Sequence, residues 1–67
     1  MDNEQRIRIR DEICAGRDRA AREKDLSILV SLINQYASVC DLDDNLRFEL
    51  NYTRQCLETV RRNGWNR

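Results

Sequence analysis

An uncharged segment, residues 26–40 (LSILVSLINQYASVC), interrupts a chain that otherwise contains twelve basic and twelve acidic residues. At about 100° per residue, a helix over this segment has two apolar faces. One face is formed by Leu26, Leu29, Val30, Ile33, Tyr36, Ala37 and Cys40. Ile28, Leu32 and Val39 lie nearly opposite. A helix that is apolar on two sides must be covered on two sides.

The length of the chain limits what can cover the second face. Its 67 residues make one domain, and chains this short often need a disulfide, a metal or a second subunit for stability. A hairpin of two helices covers one face of residues 26–40 and leaves the other open. We therefore predict a helical-bundle homodimer whose self-association interface contains Ile28, Leu32 and Val39.

The C-terminal part of the chain predicts a helix over residues 42–62. Asp41 can cap its start, because a carboxylate there accepts a backbone N–H from the first turn. Gly64 suits the residue just past the end, and Trp65 can then pack back on Val60. The apolar stripe of this helix is Leu42, Leu46, Leu50, Thr53, Cys56, Leu57 and Val60, with Tyr52 at its edge.

Residues 4–40 allow two interpretations within an all-α fold. Proline is absent and only two glycines occur, so no residue type that breaks helices separates the charged segment 4–24 from the apolar segment 25–40. If Asp25 caps a separate helix, the chain is a three-helix unit. If the two segments are continuous, one helix runs from about residue 4 to 39 and the chain is a helical hairpin. Helix propensity is good throughout, and it favours the continuous helix.

Composition argues against several classes of function. Histidine is absent, and the three cysteines, Cys14, Cys40 and Cys56, form no C-x-x-C pair, so we expect no metal site and no cofactor. We expect the three thiols to be reduced and the protein to be cytoplasmic. Glu49 lies at the edge of the apolar stripe. Pairing with an arginine is a simpler interpretation of this carboxylate than a catalytic role. We therefore predict that the protein is not an enzyme. The charged N-terminus does not resemble a signal peptide, and no segment reaches the ~20 apolar residues of a membrane span.

Four basic residues form a line on the N-terminal helix, which we call the basic ridge: Arg6, Arg10, Arg17 and Lys24. This ridge can bind anions such as nucleic-acid phosphates. It can equally be a solvated surface that pairs with acidic residues of the same bundle. Seven acidic residues share residues 1–25, so the second interpretation is favoured.

Two aromatic residues are candidates for a partner surface. Phe48 points away from the apolar stripe of its helix and is either an ordinary exposed side chain or a contact anchor. Trp65 is either the terminal packing residue described above or a binding residue. Together these features predict a small regulatory protein that acts through protein–protein contacts with an unidentified partner. The alternative is a nucleic-acid-binding regulator that uses the basic ridge.

Three stretches of the sequence carry a family resemblance: RIRDEIC at 8–14, YASVCDLDDNLR at 36–47 and LNYTRQCLETVRRNGW at 50–65. Together they resemble the small open-reading-frame proteins of the early (exo–xis) region of lambdoid bacteriophages. The resemblance implies a small all-helical, dimeric protein in the host cytoplasm that modulates a host protein or the lysis–lysogeny decision. It carries over no catalytic or binding residue.

Overall fold

The computed structural model describes residues 2–65, which form three α-helices: α1 (Asn3–Glu23), α2 (Leu26–Ala37) and α3 (Asp44–Asn63). The all-α prediction is confirmed, and residues 2–65 contain no strand. The helices run up, down and up. Tyr36 near the end of α2 contacts Glu12 in the middle of α1, whereas Arg6 and Asp43 pair where α1 and α3 begin. Consequently α1 and α3 are parallel neighbours, and α2 is antiparallel to both.

An aspartate caps the start of each helix. Asp2 and Gln5 form a capping box at α1, and the carboxylate of Asp25 accepts the N–H of Ser27 at α2. At α3 the cap is Asp43, whose carboxylate accepts the N–H of Leu46 at 2.9 Å. The predicted cap, Asp41, is wrong by two residues, because a second aspartate stands nearer the first helical turn.

The reversal between α1 and α2 lies at Lys24 and Asp25. Lys24 has a left-handed backbone (φ 53°, ψ 47°), and the N–H of Asp25 donates to the carbonyl of Ala20 at 3.0 Å. Hydrogen bonds from the Ser27 hydroxyl and backbone N–H lower the pKa of Asp25 and stabilise its ionised cap. The continuous helix over 4–39 is therefore wrong, and the three-helix alternative is correct. Propensity favoured continuity, but folding back lets α1 cover α2.

The core consists of two clusters of buried side chains. The larger one contains Ile13, Leu32, Tyr36, Leu42, Leu46 and Leu50, and the smaller one contains Ala20, Leu29 and Leu57. The predicted stripe of α3 is confirmed for Leu46, Leu50, Thr53 and Leu57, while Cys56 and Val60 are half-buried. Leu42 is also buried, but it lies before α3 begins. On α2 the buried residues are Leu29, Leu32 and Tyr36, whereas Ala37 is exposed.

The second apolar face predicted for a helix over residues 26–40 is covered within the chain, and its third member, Val39, lies beyond the end of α2. Leu32 is only 8% exposed, and Ile28 and Val39 are half-buried against the two core clusters. Coverage within the chain removes the reason for expecting an open face here, and a self-association interface formed by these three residues stays a prediction. Its premise was a two-helix hairpin, in which α1 could not reach α2. The homodimer itself stays a prediction, without this argument for it.

Close packing of α1 on α2 depends on Gly16. A Cβ atom built at residue 16 would lie 2.5 Å from Cδ1 of Leu32, well inside van der Waals contact. Leu32 is itself buried, so its side chain cannot simply turn into solvent. One helical turn away, the partly buried hydroxyl of Tyr36 donates to Glu12, and burial together with this hydrogen bond raises the pKa of Tyr36 to about 12.

We predict that Gly16→Ala destabilises the fold by about 1–3 kcal/mol, because the added methyl group overlaps Leu32. On an exposed helix the same change would stabilise by up to about 1 kcal/mol. Leu32→Ala alone should cost about 2–5 kcal/mol through the cavity it leaves. The double variant should cost clearly less than the sum, since the new methyl group fills part of that cavity. Urea unfolding of the four proteins measures the coupling; additive costs would contradict the close approach.

We predict that Lys24→Gly stabilises the fold by about 0.5–1 kcal/mol, because glycine adopts the left-handed conformation without a steric cost. In a continuous helix the same change would destabilise by about 1 kcal/mol. Thermal unfolding of the two proteins gives the sign. Arg22→Gly, within α1, is the matched control and should be destabilising.

Candidate functional site

The outer face between α1 and α3 carries two adjacent depressions, which we call the α1–α3 groove. Its N-terminal half is lined by Arg6, Ile7, Arg10, Asp43, Asn45, Leu46, Phe48 and Glu49. Its C-terminal half includes Arg17, Ala21, Lys24, Tyr52, Cys56, Val60 and Trp65. All four residues of the basic ridge therefore share one surface with Phe48 and Trp65. The sequence predicted these two sets separately, and the parallel packing of α1 and α3 brings them together.

Exposed apolar side chains are concentrated in this groove. Ile7, Phe48 and Tyr52 are 57%, 67% and 48% exposed, and no other large hydrophobic residue in 2–65 is exposed. The outward orientation of Phe48 is confirmed. Ile7 and Tyr52 were not predicted to belong to a partner surface, although Tyr52 follows Phe48 by four residues. That spacing places both rings on one side of α3.

The position of Trp65 is compatible with both of its predicted roles, terminal packing and partner binding. It is half-buried and packs against the core cluster of Ala20, Leu29 and Leu57. This packing fits the terminal role, and Gly64 before it has a positive φ of 77° with its N–H bonded to the carbonyl of Val60. The indole also lines the C-terminal half of the groove, so the residue can serve both roles.

Two residues of the basic ridge are neutralised by α3. Arg6 pairs with Asp43 at 3.1 Å, and Arg17 pairs with Glu49 at 2.8 Å. The Arg17–Glu49 pair is the more buried of the two, with side chains 17% and 21% exposed. The favoured interpretation of the ridge as a surface that pairs within the bundle is thus confirmed at these two positions. The pairing of Glu49 with an arginine is confirmed as well.

Arg17 is the centre of a polar network between α1 and α3. Its guanidinium also donates to the backbone carbonyl of Glu49 and to the hydroxyl of Thr53, both at 3.3 Å. Its Cζ lies 4.9 Å from the centre of the Tyr52 ring, a distance typical of a cation–π contact. Burial is the largest single influence and lowers the pKa of Arg17. The hydrogen bond that Arg17 donates to Glu49, together with electrostatic interactions with Glu49, Cys14 and Cys56, more than offsets it, so the pKa of Arg17 is raised. The network fixes the register of α3 on α1 and leaves Tyr52 held beneath a cation.

Arg10 and Lys24 differ from the other two ridge residues. Both side chains are exposed, and within residues 2–65 neither forms an ion pair or a side-chain hydrogen bond. They are fourteen residues apart, which corresponds to about 21 Å along a helix. The groove therefore has an unpaired positive charge towards each end, with the exposed aromatic residues between them.

Other kinds of site find little support in the described part of the chain. Residues 2–65 contain no group of three side chains that could hold a metal ion. Cys14 and Cys56 are half-buried, Cys40 is exposed, and all three are free thiols. None of the helices described is both long and apolar enough to cross a membrane. The α1–α3 groove is thus the candidate site.

We predict that Arg17 and Glu49 are strongly coupled in stability. A double-mutant cycle with Arg17→Met and Glu49→Gln should give a coupling energy of about 1–2 kcal/mol, because the pair is largely shielded from water. The matched control is the Arg19–Glu23 pair, whose side chains are 60% and 51% exposed. Arg19→Met and Glu23→Gln should couple by only about 0.3–0.5 kcal/mol. Equal coupling of the two pairs, measured by urea unfolding, would remove the special role of Arg17.

No protein-family model, curated protein or solved structure matches the chain. The resemblance to early-region proteins of lambdoid bacteriophages stays a prediction.

Proposed function

We propose that the protein is a non-enzymatic interaction module that binds a partner protein through the α1–α3 groove. The observation that carries the proposal is the position of Ile7, Phe48 and Tyr52. These are the large hydrophobic residues that stay exposed among residues 2–65. Ile7 and Phe48 line the N-terminal half of the α1–α3 groove, and Tyr52 lines its C-terminal half. Isolated exposed hydrophobic residues are common on protein surfaces, but a group of them on one face is typical of an interaction site.

The surroundings of these residues support the same proposal. Binding energy in protein interfaces is concentrated in aromatic and arginine side chains at the centre, with polar residues at the rim. Phe48 and Tyr52 supply such a centre, and Tyr52 is already held beneath the guanidinium of Arg17. Arg10 and Lys24 supply charges at the rim. A preformed surface of this kind loses little conformational freedom when a partner binds.

The resemblance to early-region phage proteins supports a regulatory role for this binding. On that basis the partner is a host protein in the cytoplasm, and the chain is an accessory factor that modulates host functions or the lysis–lysogeny decision. Self-association remains a further prediction. Sedimentation of the wild-type chain at micromolar concentration measures it directly, with a dimeric mass as the expected result.

Nucleic-acid binding through the basic ridge is the less favoured alternative. Asp43 and Glu49 lie in the same groove as the ridge and pair with two of its four cations. Their carboxylates would repel phosphates, and only Arg10 and Lys24 remain available for phosphate contacts. Two contacts give weak binding that decreases with salt.

We predict that Phe48→Ala abolishes partner capture without unfolding the chain. Phe48 is 67% exposed, so its removal should change the free energy of unfolding by less than about 0.5 kcal/mol. As an interface anchor, its loss should weaken partner binding by at least 2 kcal/mol, or roughly thirtyfold. Arg47→Ala is the matched control, since Arg47 is an exposed neighbour on α3 that does not line the groove.

The measurement is affinity capture from bacterial extracts with the wild type and both variants, together with circular dichroism. The expected result is a protein captured by the wild type and Arg47→Ala but not by Phe48→Ala. Tight binding of duplex DNA at physiological salt, lost in Arg10→Gln/Lys24→Gln but kept in Phe48→Ala, would overturn the proposal in favour of the nucleic-acid alternative.

A further inference from the structure

We infer that the segment bound in the α1–α3 groove is an amphipathic α-helix with one carboxylate near each end of its contact surface. This inference rests on the proposed function and adds the chemistry of the partner. It predicts two acidic residues about fourteen positions, or four helical turns, apart, with an apolar stripe between them.

The charges of the groove select an acidic partner. Of the four ridge residues, Arg6 and Arg17 are paired with Asp43 and Glu49, so Arg10 and Lys24 leave two uncompensated positive charges. The whole chain has a formal net charge of zero. The groove is therefore more positive than the rest of the surface. Charges at the rim of an interface choose the partner and its register by electrostatic complementarity.

The shape of the groove selects a helix. The groove lies between two parallel helices, and the residues that line it extend from the first turn of α1 to beyond the end of α3. A partner helix laid along such a surface uses apolar residues at i, i+3, i+4 and i+7 as anchors. Phe48 and Tyr52 are one turn apart and lie between the two free cations, so they can receive these anchors. Fourteen residues are close to four full turns, which puts both partner carboxylates on the side facing the groove.

A second copy of this chain fits the groove poorly. In a two-fold dimer across this face, the axis either brings Arg10 of one chain towards Lys24 of the other or places each cation opposite its own counterpart. Both arrangements bring like charges together, which is unfavourable in an interface. Nucleic acid is disfavoured because the carboxylates of Asp43 and Glu49 repel phosphates.

The test uses the full chain and a library of synthetic helical peptides of about 20 residues, long enough to span about 30 Å. The library keeps an apolar stripe with helical spacing and randomises the remaining positions among acidic, basic and neutral residues. We expect selection on the wild type to enrich peptides with carboxylates about fourteen residues apart. Arg10→Glu/Lys24→Glu should weaken their binding by about tenfold or more. Replacing the peptide carboxylates by lysine should restore binding to this double variant.

The matched control is Arg8→Glu/Arg22→Glu. It makes the same change in net charge, at the same fourteen-residue spacing on α1, but at exposed residues that do not line the groove. We expect it to change binding by less than about threefold. Circular dichroism checks that both double variants are folded; if the groove variant is not, Arg10→Gln/Lys24→Gln replaces it, with an expected loss of about threefold or more.

Three results would overturn the inference: no peptide is enriched, the enriched peptides are neutral or basic, or both double variants weaken binding equally. Phe48→Ala separates these results from failure of the proposed function. Neutral or basic peptides that lose binding to Phe48→Ala leave the groove as a protein-binding site with a different partner chemistry. Peptides that bind Phe48→Ala as well as the wild type contradict both proposals.

Discussion

The reversal of the chain at Lys24 and Asp25 is the constraint on which the other contacts depend. Lys24 adopts a left-handed backbone, which costs a non-glycine residue about 1 kcal/mol. The cap formed by Asp25 and Ser27 offsets part of this cost. Packing of α2 against α1 stabilises the reversal more, because full burial of a leucine such as Leu29 or Leu32 contributes about 1.5–3 kcal/mol to the stability of the fold. The left-handed residue is therefore held in place by the burial that it makes possible.

The reversal also determines which surfaces of α1 and α3 meet. With α2 folded back as the antiparallel middle helix, α3 returns parallel to α1, and the basic ridge faces α3 along its length. Arg6 then pairs with Asp43 at the start of α3, and Arg17 pairs with Glu49. Thr53 and Tyr52 support the Arg17–Glu49 pair. The shape of the groove is thus a consequence of core packing. Its chemistry comes from residues on two helices more than thirty positions apart in sequence.

Local signals in the sequence were sufficient for the all-α fold, for the stripe of α3 and for the glycine that ends it. These features depend on side-chain periodicity and on capping, which act over a few residues. The helix break was the less favoured of two interpretations because lysine has good helix propensity, and only tertiary packing makes its left-handed conformation favourable. The expectation that the chain cannot cover Leu32 came from the same preference for a continuous helix. The ridge and Phe48 were each identified from sequence, but their shared groove was not, since it depends on the relative placement of α1 and α3.

Stability and binding place opposite demands on residue 24. A glycine at this left-handed position would make the reversal less costly, whereas the ammonium group of Lys24 contributes nothing to the fold through an ion pair or side-chain hydrogen bond within residues 2–65. Under the proposed function the same ammonium group is one of two free cations that a partner meets at the rim of the groove. Arg10 shows the same separation from the fold, because it is exposed and unpaired beside the paired Arg6 and Arg17. The basic ridge is therefore divided by position: its paired members stabilise the register of α3, and its unpaired members remain available to a partner. A binding role for Lys24 would account for a residue that is suboptimal for the backbone and whose side chain makes no ion pair or hydrogen bond within residues 2–65.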